Sequence, residues 1–178
     1  MTSIPKYRIK KVVDAPCGDF NWMSLVIPLL DIEYIGIDIV EDLISQNKAR
    51  HRHDKVDFRV GNICEDQLPA CDLLIVRDCL FHLSFEDVNK FLANIAKVDY
   101  KYLLTTNFIV KEGFENRDII TGDFRRIDLL NSPFNFPGER VLERVTESRG
   151  WSPIQREMLL FKKADVPTRL TDYVGGRI

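Results

Sequence analysis

Short apolar runs alternate with helix-like patterns from Lys11 to Thr106, and this alternation narrows the possible folds more than any other feature of the chain. Lys11–Asp14 ("KVVD"), Glu33–Asp38 ("EYIGID"), Asp57–Val60 ("DFRV"), Asp72–Arg77 ("DLLIVR") and Tyr100–Thr106 ("YKYLLTT") read as strands. The fourth is almost continuously apolar, the mark of a central strand buried on both faces. Phe20–Ile27 reads as a short helix that Pro28 must end or kink. Val40, Leu43, Ile44 and Asn47 share one helical face, which predicts a helix over Val40–Arg50. Ser84, with Asp87 three residues on, starts a third helix whose inward stripe is Phe85, Val88, Phe91, Leu92 and Ile95. Strands separated by helices imply an α/β, Rossmann-like, mostly parallel sheet with right-handed crossovers and helices on both faces.

Beyond Thr106 the pattern changes. Residues 107–137 have no clean period and contain Gly113, Gly122, Pro133 and Pro137. Loops of this length in a compact domain are often functional. "RVLERVTES" (Arg140–Ser148) and "IQREMLLFKK" (Ile154–Lys163) then flank a turn at Arg149–Pro153, which predicts an antiparallel C-terminal hairpin. Val141, Leu142 and Val145 would also suit a helical turn. The expected organisation is one domain over 1–178, with its core at about 10–163 and a loosely attached tail over 164–178.

The chain has 178 residues, 45% of them hydrophobic and 29% charged, which is ordinary for a globular protein. A net charge of −2 argues against a surface that attracts nucleic acid by bulk electrostatics. The one basic cluster, "KARHRHDK", is short and set beside acids. No apolar run approaches the ~18 residues that span a bilayer, and no signal peptide is evident, so a cytoplasmic location with no membrane partner is expected. Cys17, Cys64, Cys71 and Cys79 form no CxxC pair and have no His at zinc spacing; they read as free, largely buried thiols, and no metal site is expected.

The polar residues of interest fall where the strands end. Ligands of open parallel sheets lie beyond the carboxyl edge, beside the first strand. The first strand there runs into "DAPCGDF", Asp14 to Phe20. Gly18 lets the backbone approach a ligand with no Cβ in the way, and Asp14 is placed to accept from an ammonium. Asp38 closes the second strand, and a carboxylate's two oxygens suit a ribose diol. Asn62 follows the third strand, its amide suited to an adenine edge. Together they would grip an amine, a sugar and an adenine.

Taken together, "VVDAPCGDF", "YIGIDIV", "GNI" and "CDLLIVRDCLFHL" resemble the motifs of class I S-adenosylmethionine-dependent methyltransferases, over about Lys10–Lys163. Asp14 matches the first motif's acid, Gly18 its central glycine and Asp38 the ribose acid of the second. More narrowly, DAPCGDFxWM, YIGIDIV and RDCLFHLS resemble an uncharacterised bacterial-type subgroup. The resemblance implies that S-adenosyl-L-methionine lies against Asp14, Pro16, Gly18, Asp19, Trp22, Asp38, Ile39, Asn62, Ile63 and Arg77. It departs from the family pattern at Pro16 and Phe20, which stand where glycines are usual, and at Asn62, which replaces a common Asp. The family also usually carries one or two helices before the first strand.

Asp78 and His82, past the fourth strand, are the candidate catalytic pair: an imidazole with a near-neutral pKa suits removal of a proton from a hydroxyl or amine. In the bland alternatives Asp19 is a helix cap, Trp22 is packing, Asn62 is a local Asx turn and His82 is structural. Asn107, Asn116 and Arg125 are the candidate acceptor-binding residues, because the loop interleaves polar groups with aromatics as a small-molecule or glycan site would; the bland alternative is a meander packed over the sheet edge. Two other readings stay open. One is a non-catalytic or partner-requiring module with the same fold. The other is a nicotinamide oxidoreductase, although GxGxxG is missing after the first strand. Nucleic-acid methylation lacks an Asn/Asp-Pro-Pro-aromatic motif. The oligomeric state is not legible.

Overall fold

The computed structural model describes residues 3–147 and 154–171. A short helix α1 (Ser3–Lys6) precedes β1 (Lys11–Asp14), α2 (Asn21–Val26), β2 (Glu33–Asp38), α3 (Glu41–Arg50), β3 (Val56–Val60), β4 (Cys71–Val76), α4 (Phe85–Ile95), β5 (Tyr100–Phe108), β6 (Glu143–Glu147) and β7 (Arg156–Lys162). The strands form one sheet in the order β3-β2-β1-β4-β5-β7-β6. β1 to β5 run parallel, and β7 pairs antiparallel with both β5 and β6. The predicted hairpin is present; its turn at Arg149–Pro153 lies outside the described residues.

Strand alternation sends successive side chains to opposite faces, and two cores result. Val12, Tyr34 and Leu73 face one way and pack with Met23 and Ile27 near α2 and with Ile44 of α3. Val13, Ile35 and Leu74 face the other way and pack with Val88, Phe91, Leu92 and Ile95 of α4. Ser84 caps α4, its Oγ accepting from the Asp87 N–H at 3.2 Å. Pro28 opens a 3-10 turn, Ile27–Leu29, and so ends α2 as expected.

The loop follows its packed alternative, and one expectation changes. The region 109–137 has little regular structure, yet Ile127, Leu129, Phe134 and Phe136 are fully buried in the α4-side core. This loop is a layer of the fold, covering the sheet beside α4. Nor is the start of the tail loose: Val166 and Leu170 are buried, the Leu170 N–H donates to Asn89 Oδ1 at 2.9 Å, and the Thr171 N–H donates to the Pro133 carbonyl at 2.9 Å. Two apolar side chains and two hydrogen bonds to separate elements anchor it as far as Thr171. Residues 172–178, with Gly175 and Gly176, lie outside the described residues. The cysteines are free, as expected; burial pushes the Cys17 and Cys71 thiols up to about 12. Among the described residues, no helix is long and apolar enough to cross a membrane.

Candidate functional site

At the carboxyl edge of β1 the chain makes a turn pinned from both sides. The Ala15 N–H donates to Ile75 O of β4 at 2.9 Å, and the Cys17 N–H donates to Ile37 O of β2 at 2.8 Å. Cys17 reaches β2 because position 36 is glycine: a Cβ there would lie 3.0 Å from the Cys17 Cβ and 2.8 Å from the Phe58 ring. Gly18 follows at φ +58, a conformation glycine adopts without a Cβ penalty, and a Cβ added there would find nothing within 4 Å. The turn therefore ends in a backbone cradle open to a ligand.

Asp38 locks this cradle to the next strand. Its Oδ2 accepts from the Gly18 N–H at 3.0 Å and its Oδ1 from the Val40 N–H at 3.0 Å. The Gly18 carbonyl accepts from the Asn47 side chain of α3 at 2.8 Å. With each Asp38 oxygen holding one backbone donor, a second acceptor position remains on each. The side chain is 6% exposed and lines the crevice.

Phe20 occupies the position of the family's last glycine, and its backbone keeps the left-handed geometry, φ +58. Such a conformation costs a bulky residue roughly 1–2 kcal/mol. Burial of the ring, worth roughly 1.5–3 kcal/mol, offsets that cost. The ring lies 5.0 Å from Tyr34 and Phe58 and 4.9 Å from His51, centroid to centroid.

Asp14, Pro16, Gly18, Asp19, Trp22, Asp38, Arg77 and Asp78 surround one crevice of about 220 Å³. Asp14 is 1% exposed and its Oδ2 accepts from the Tyr34 hydroxyl at 2.8 Å. Burial raises its pKa to about 7, against the opposing pull of the Tyr34 hydrogen bond and the Arg77 charge. Asp19 accepts from the Asn21 backbone at 3.1 Å and side chain at 2.6 Å, tying down the first turn of α2. The Arg77 guanidinium lies 5.0 Å from the Trp22 ring centroid.

Behind Arg77 runs a chain of alternating charges that the sequence did not suggest. Arg77 Nη2 is 2.9 Å from Glu147 Oε1, Glu147 Oε2 is 3.2 Å from Arg156 Nη2, and Arg156 Nη1 donates to Asp78 Oδ1 at 2.6 Å. The Asp78 N–H also donates to Thr106 Oγ1 at 2.9 Å. Arg77 and Asp78 are 4.0 Å apart, and each has a closer partner from the hairpin. The one trace of this in the sequence is Arg156, a charge at the start of a strand that runs apolar from Met158 to Phe161.

Asp78 is shared with a second cavity of about 350 Å³, lined by Phe81, His82, Phe108, Phe124, Ile154 and Arg156. His82 does not pair with Asp78. Its Nδ1 is 2.8 Å from the Asp123 carbonyl oxygen. A carbonyl only accepts, so Nδ1 carries a hydrogen, and Nε2 is the nitrogen that holds the lone pair whenever the ring is neutral. The ring rests 4.4 Å from Phe81, which further fixes its orientation.

Other candidates lie elsewhere. Asn62 makes the Asx turn, its Oδ1 accepting from the Cys64 N–H at 2.9 Å, and Ile63 is buried in the α4-side core. Ile39 does not line the crevice; it stands 65% exposed beside Asp38. Asn107 is 2% exposed and fully engaged: it donates to Glu157 Oε1 at 3.0 Å and to Phe108 O, and accepts from the Leu129 N–H at 2.8 Å. Asn116 staples the loop, donating to Asp128 O and Ser132 O while accepting from the Asp128 N–H. Arg125 is buried under the Phe85 ring and lines a separate depression of about 540 Å³ with Arg117 and Arg126, which shares no residue with either cavity.

Comparison with known proteins accords with this arrangement. A family profile described as a methyltransferase domain matches residues 12–99, the stretch holding β1 to β4 and the crevice. No curated protein matches the chain. Among solved structures, human N-acetylserotonin methyltransferase in complex with S-adenosylmethionine is similar at 13% identity and a TM-score of 0.65, covering 90% of this chain and 50% of that one. Magnesium protoporphyrin IX methyltransferase from Synechocystis, with bound S-adenosylhomocysteine, gives 13% identity, coverage of 86% and 74% respectively, and a TM-score of 0.63. An S-adenosylmethionine-dependent methyltransferase from Clostridium acetobutylicum gives 13% identity, coverage of 90% and 87%, and a TM-score of 0.61. The chain thus spans about half the length of the first of these and most of the last. A methyltransferase-domain profile thus matches across the crevice, and over most of its length the chain has the fold of these S-adenosylmethionine-dependent methyltransferases.

Proposed function

We propose that the chain transfers a methyl group from S-adenosyl-L-methionine to a hydroxyl or amine of a small-molecule or glycan acceptor. The donor chemistry of the crevice suits this cofactor. Gly18 presents backbone to open space, Asp38 has acceptor positions for both hydroxyls of a ribose, Asp14 offers a carboxylate to the ammonium, and Arg77 offers a guanidinium to the carboxylate. Pro16, Asp19 and Trp22 complete the walls, and Ile39 is the exposed apolar side chain beside the ribose acid. When bound, the cofactor supplies a methyl carbon whose bond to sulfur breaks with its electron pair left on sulfur as the acceptor atom takes the carbon.

The chain's own contribution is positioning and proton removal. Alignment of reactants contributes several kcal/mol of barrier reduction, and a placed base roughly 10²–10⁴-fold. The observation that carries the reading is His82: its ring is held at Nδ1 by the Asp123 carbonyl, which leaves Nε2 for a substrate, in a cavity that shares Asp78 with the crevice. Asp78 holds the wall between the cavities through Arg156 and Thr106 and is assigned positioning, not proton transfer. The test is His82→Ala against wild type. Methyl transfer from labelled cofactor is expected to fall roughly 10²–10⁴-fold, with S-adenosylhomocysteine affinity by calorimetry within about twofold. Equal loss of both would make His82 structural, and no binding of S-adenosylhomocysteine by the wild type would overturn the reading.

A further inference from the structure

The geometry of the second cavity points to an aromatic hydroxyl as the acceptor, a phenol-type ring and not a sugar; this rests on the methyl-transfer reading above. Three of the cavity's side chains are phenylalanines that pack edge to face. Phe81 and Phe108 have centroids 5.1 Å apart, Phe81 and Phe124 5.5 Å, and Phe108 and Phe124 6.0 Å. Phe81 and Phe108 are buried, whereas Phe124 is 53% exposed and offers its ring at the cavity. Aromatic pairs add roughly 0.5–1.5 kcal/mol beyond area burial, and a planar ring set against Phe124 would gain both.

The polar groups argue in the same direction. A sugar carries hydroxyls around its whole rim, and each one desolvated without a partner is costly. Asp78 and Arg156 are already bound to each other at 2.6 Å, and they hold Thr106 and Glu147 besides. Their charges cancel, so the wall favours neither an anionic nor a cationic substituent. His82 Nε2, next to Phe81 and Phe124, is the acceptor suited to a single hydroxyl projecting from an apolar body.

Acidity matches as well. A phenol, near pKa ~10, gives its proton to a nitrogen base far more readily than an aliphatic hydroxyl, near water at ~15.7. On deprotonation the phenolic proton passes to Nε2 and from there to solvent, leaving the electron pair on the oxygen.

The test uses protein saturated with S-adenosylhomocysteine. Binding of 2-naphthol, cyclohexanol and methyl β-D-glucoside is read by saturation-transfer NMR and calorimetry, on wild type and on Phe124→Ala, a change at a half-exposed site that the fold tolerates. The expected result is 2-naphthol binding, at least about tenfold tighter than cyclohexanol, no binding of the glucoside, and about a tenfold loss in Phe124→Ala with cofactor-product affinity unchanged. Glucoside or cyclohexanol binding equal to 2-naphthol, absence of 2-naphthol binding, or indifference to Phe124→Ala would overturn the aromatic assignment and leave the methyltransferase reading standing. Failure of S-adenosylhomocysteine itself to bind would overturn both.

Discussion

At the β1–β2 end of the sheet, Asp14 and Asp38 are buried acids that still line a crevice, with Asp38 holding one backbone donor on each oxygen. At the β5–β7 end, Asn107 and Glu157 are equally buried, yet their hydrogen bonds run to one another, to Leu129 and to Arg144. Both regions bury polar groups, and in both these side chains find partners. The first leaves acceptor capacity facing a cavity; in the second the Asn107 amide is spent on Glu157, Phe108 and Leu129, away from any cavity wall. Burial of a polar residue is therefore a poor sign of function, and unsaturated capacity at a cavity wall is a better one.

Three measurements would break or sharpen that contrast. The largest effect is expected for Asp38→Ala, which removes two charge-assisted hydrogen bonds to a diol at roughly 1.5–3 kcal/mol each and frees the Gly18 and Val40 N–H groups. Calorimetry with S-adenosylhomocysteine should show a loss of about 10²-fold or more; unchanged affinity would remove the ribose assignment. Next is Asn107→Ala, which orphans the Leu129 N–H and breaks the contact with Glu157. A destabilisation of about 2–3 kcal/mol should lower the melting temperature by roughly 5–10 °C while cofactor-product affinity stays within about twofold. Were affinity to fall and stability to hold, Asn107 would belong to the site after all.

The smallest effect concerns pH. Burial lets Asp14 hold its proton to about pH 7 when folded, against 3.8 for an ordinary carboxyl, so the stability due to its neutral form is present below about pH 4 and is lost as pH rises through about 7. A ligand ammonium requires the ionised form. S-adenosylhomocysteine should therefore bind about tenfold more tightly at pH 8 than at pH 6, with proton release near neutrality. Asp14→Asn should flatten that dependence, and in the free protein it should gain stability relative to wild type as pH rises from 5 to 8. A wild-type affinity that ignores pH would detach Asp14 from the ammonium.

The β1–β2 region was legible because its determinants are local. Apolar runs mark the strands, and the residues of interest come directly after them: Asp14, Gly18 and Asp38 are read off the ends of two runs. The loop was illegible for the opposite reason. Asn116 and Asp128 staple it across 12 residues, and Asp78 meets Arg156 across 78. A stretch that mixes Asn, Asp and Arg with Phe looks the same whether those groups bind a ligand or each other. Phe20 was illegible for a third reason: no composition rule assigns a left-handed backbone to phenylalanine, and only the Tyr34 and Phe58 rings around it show why it holds.

The alternating charges from Arg77 through Glu147 and Arg156 to Asp78 form a party wall between two compartments, with one pair of residues touching each side and the edge hairpin as its mortar. An engineer who recharges any brick of it to welcome a new acceptor disturbs the neighbouring room too. Retuning for selectivity is better confined to Phe81, Phe108 and Phe124, which furnish one room only.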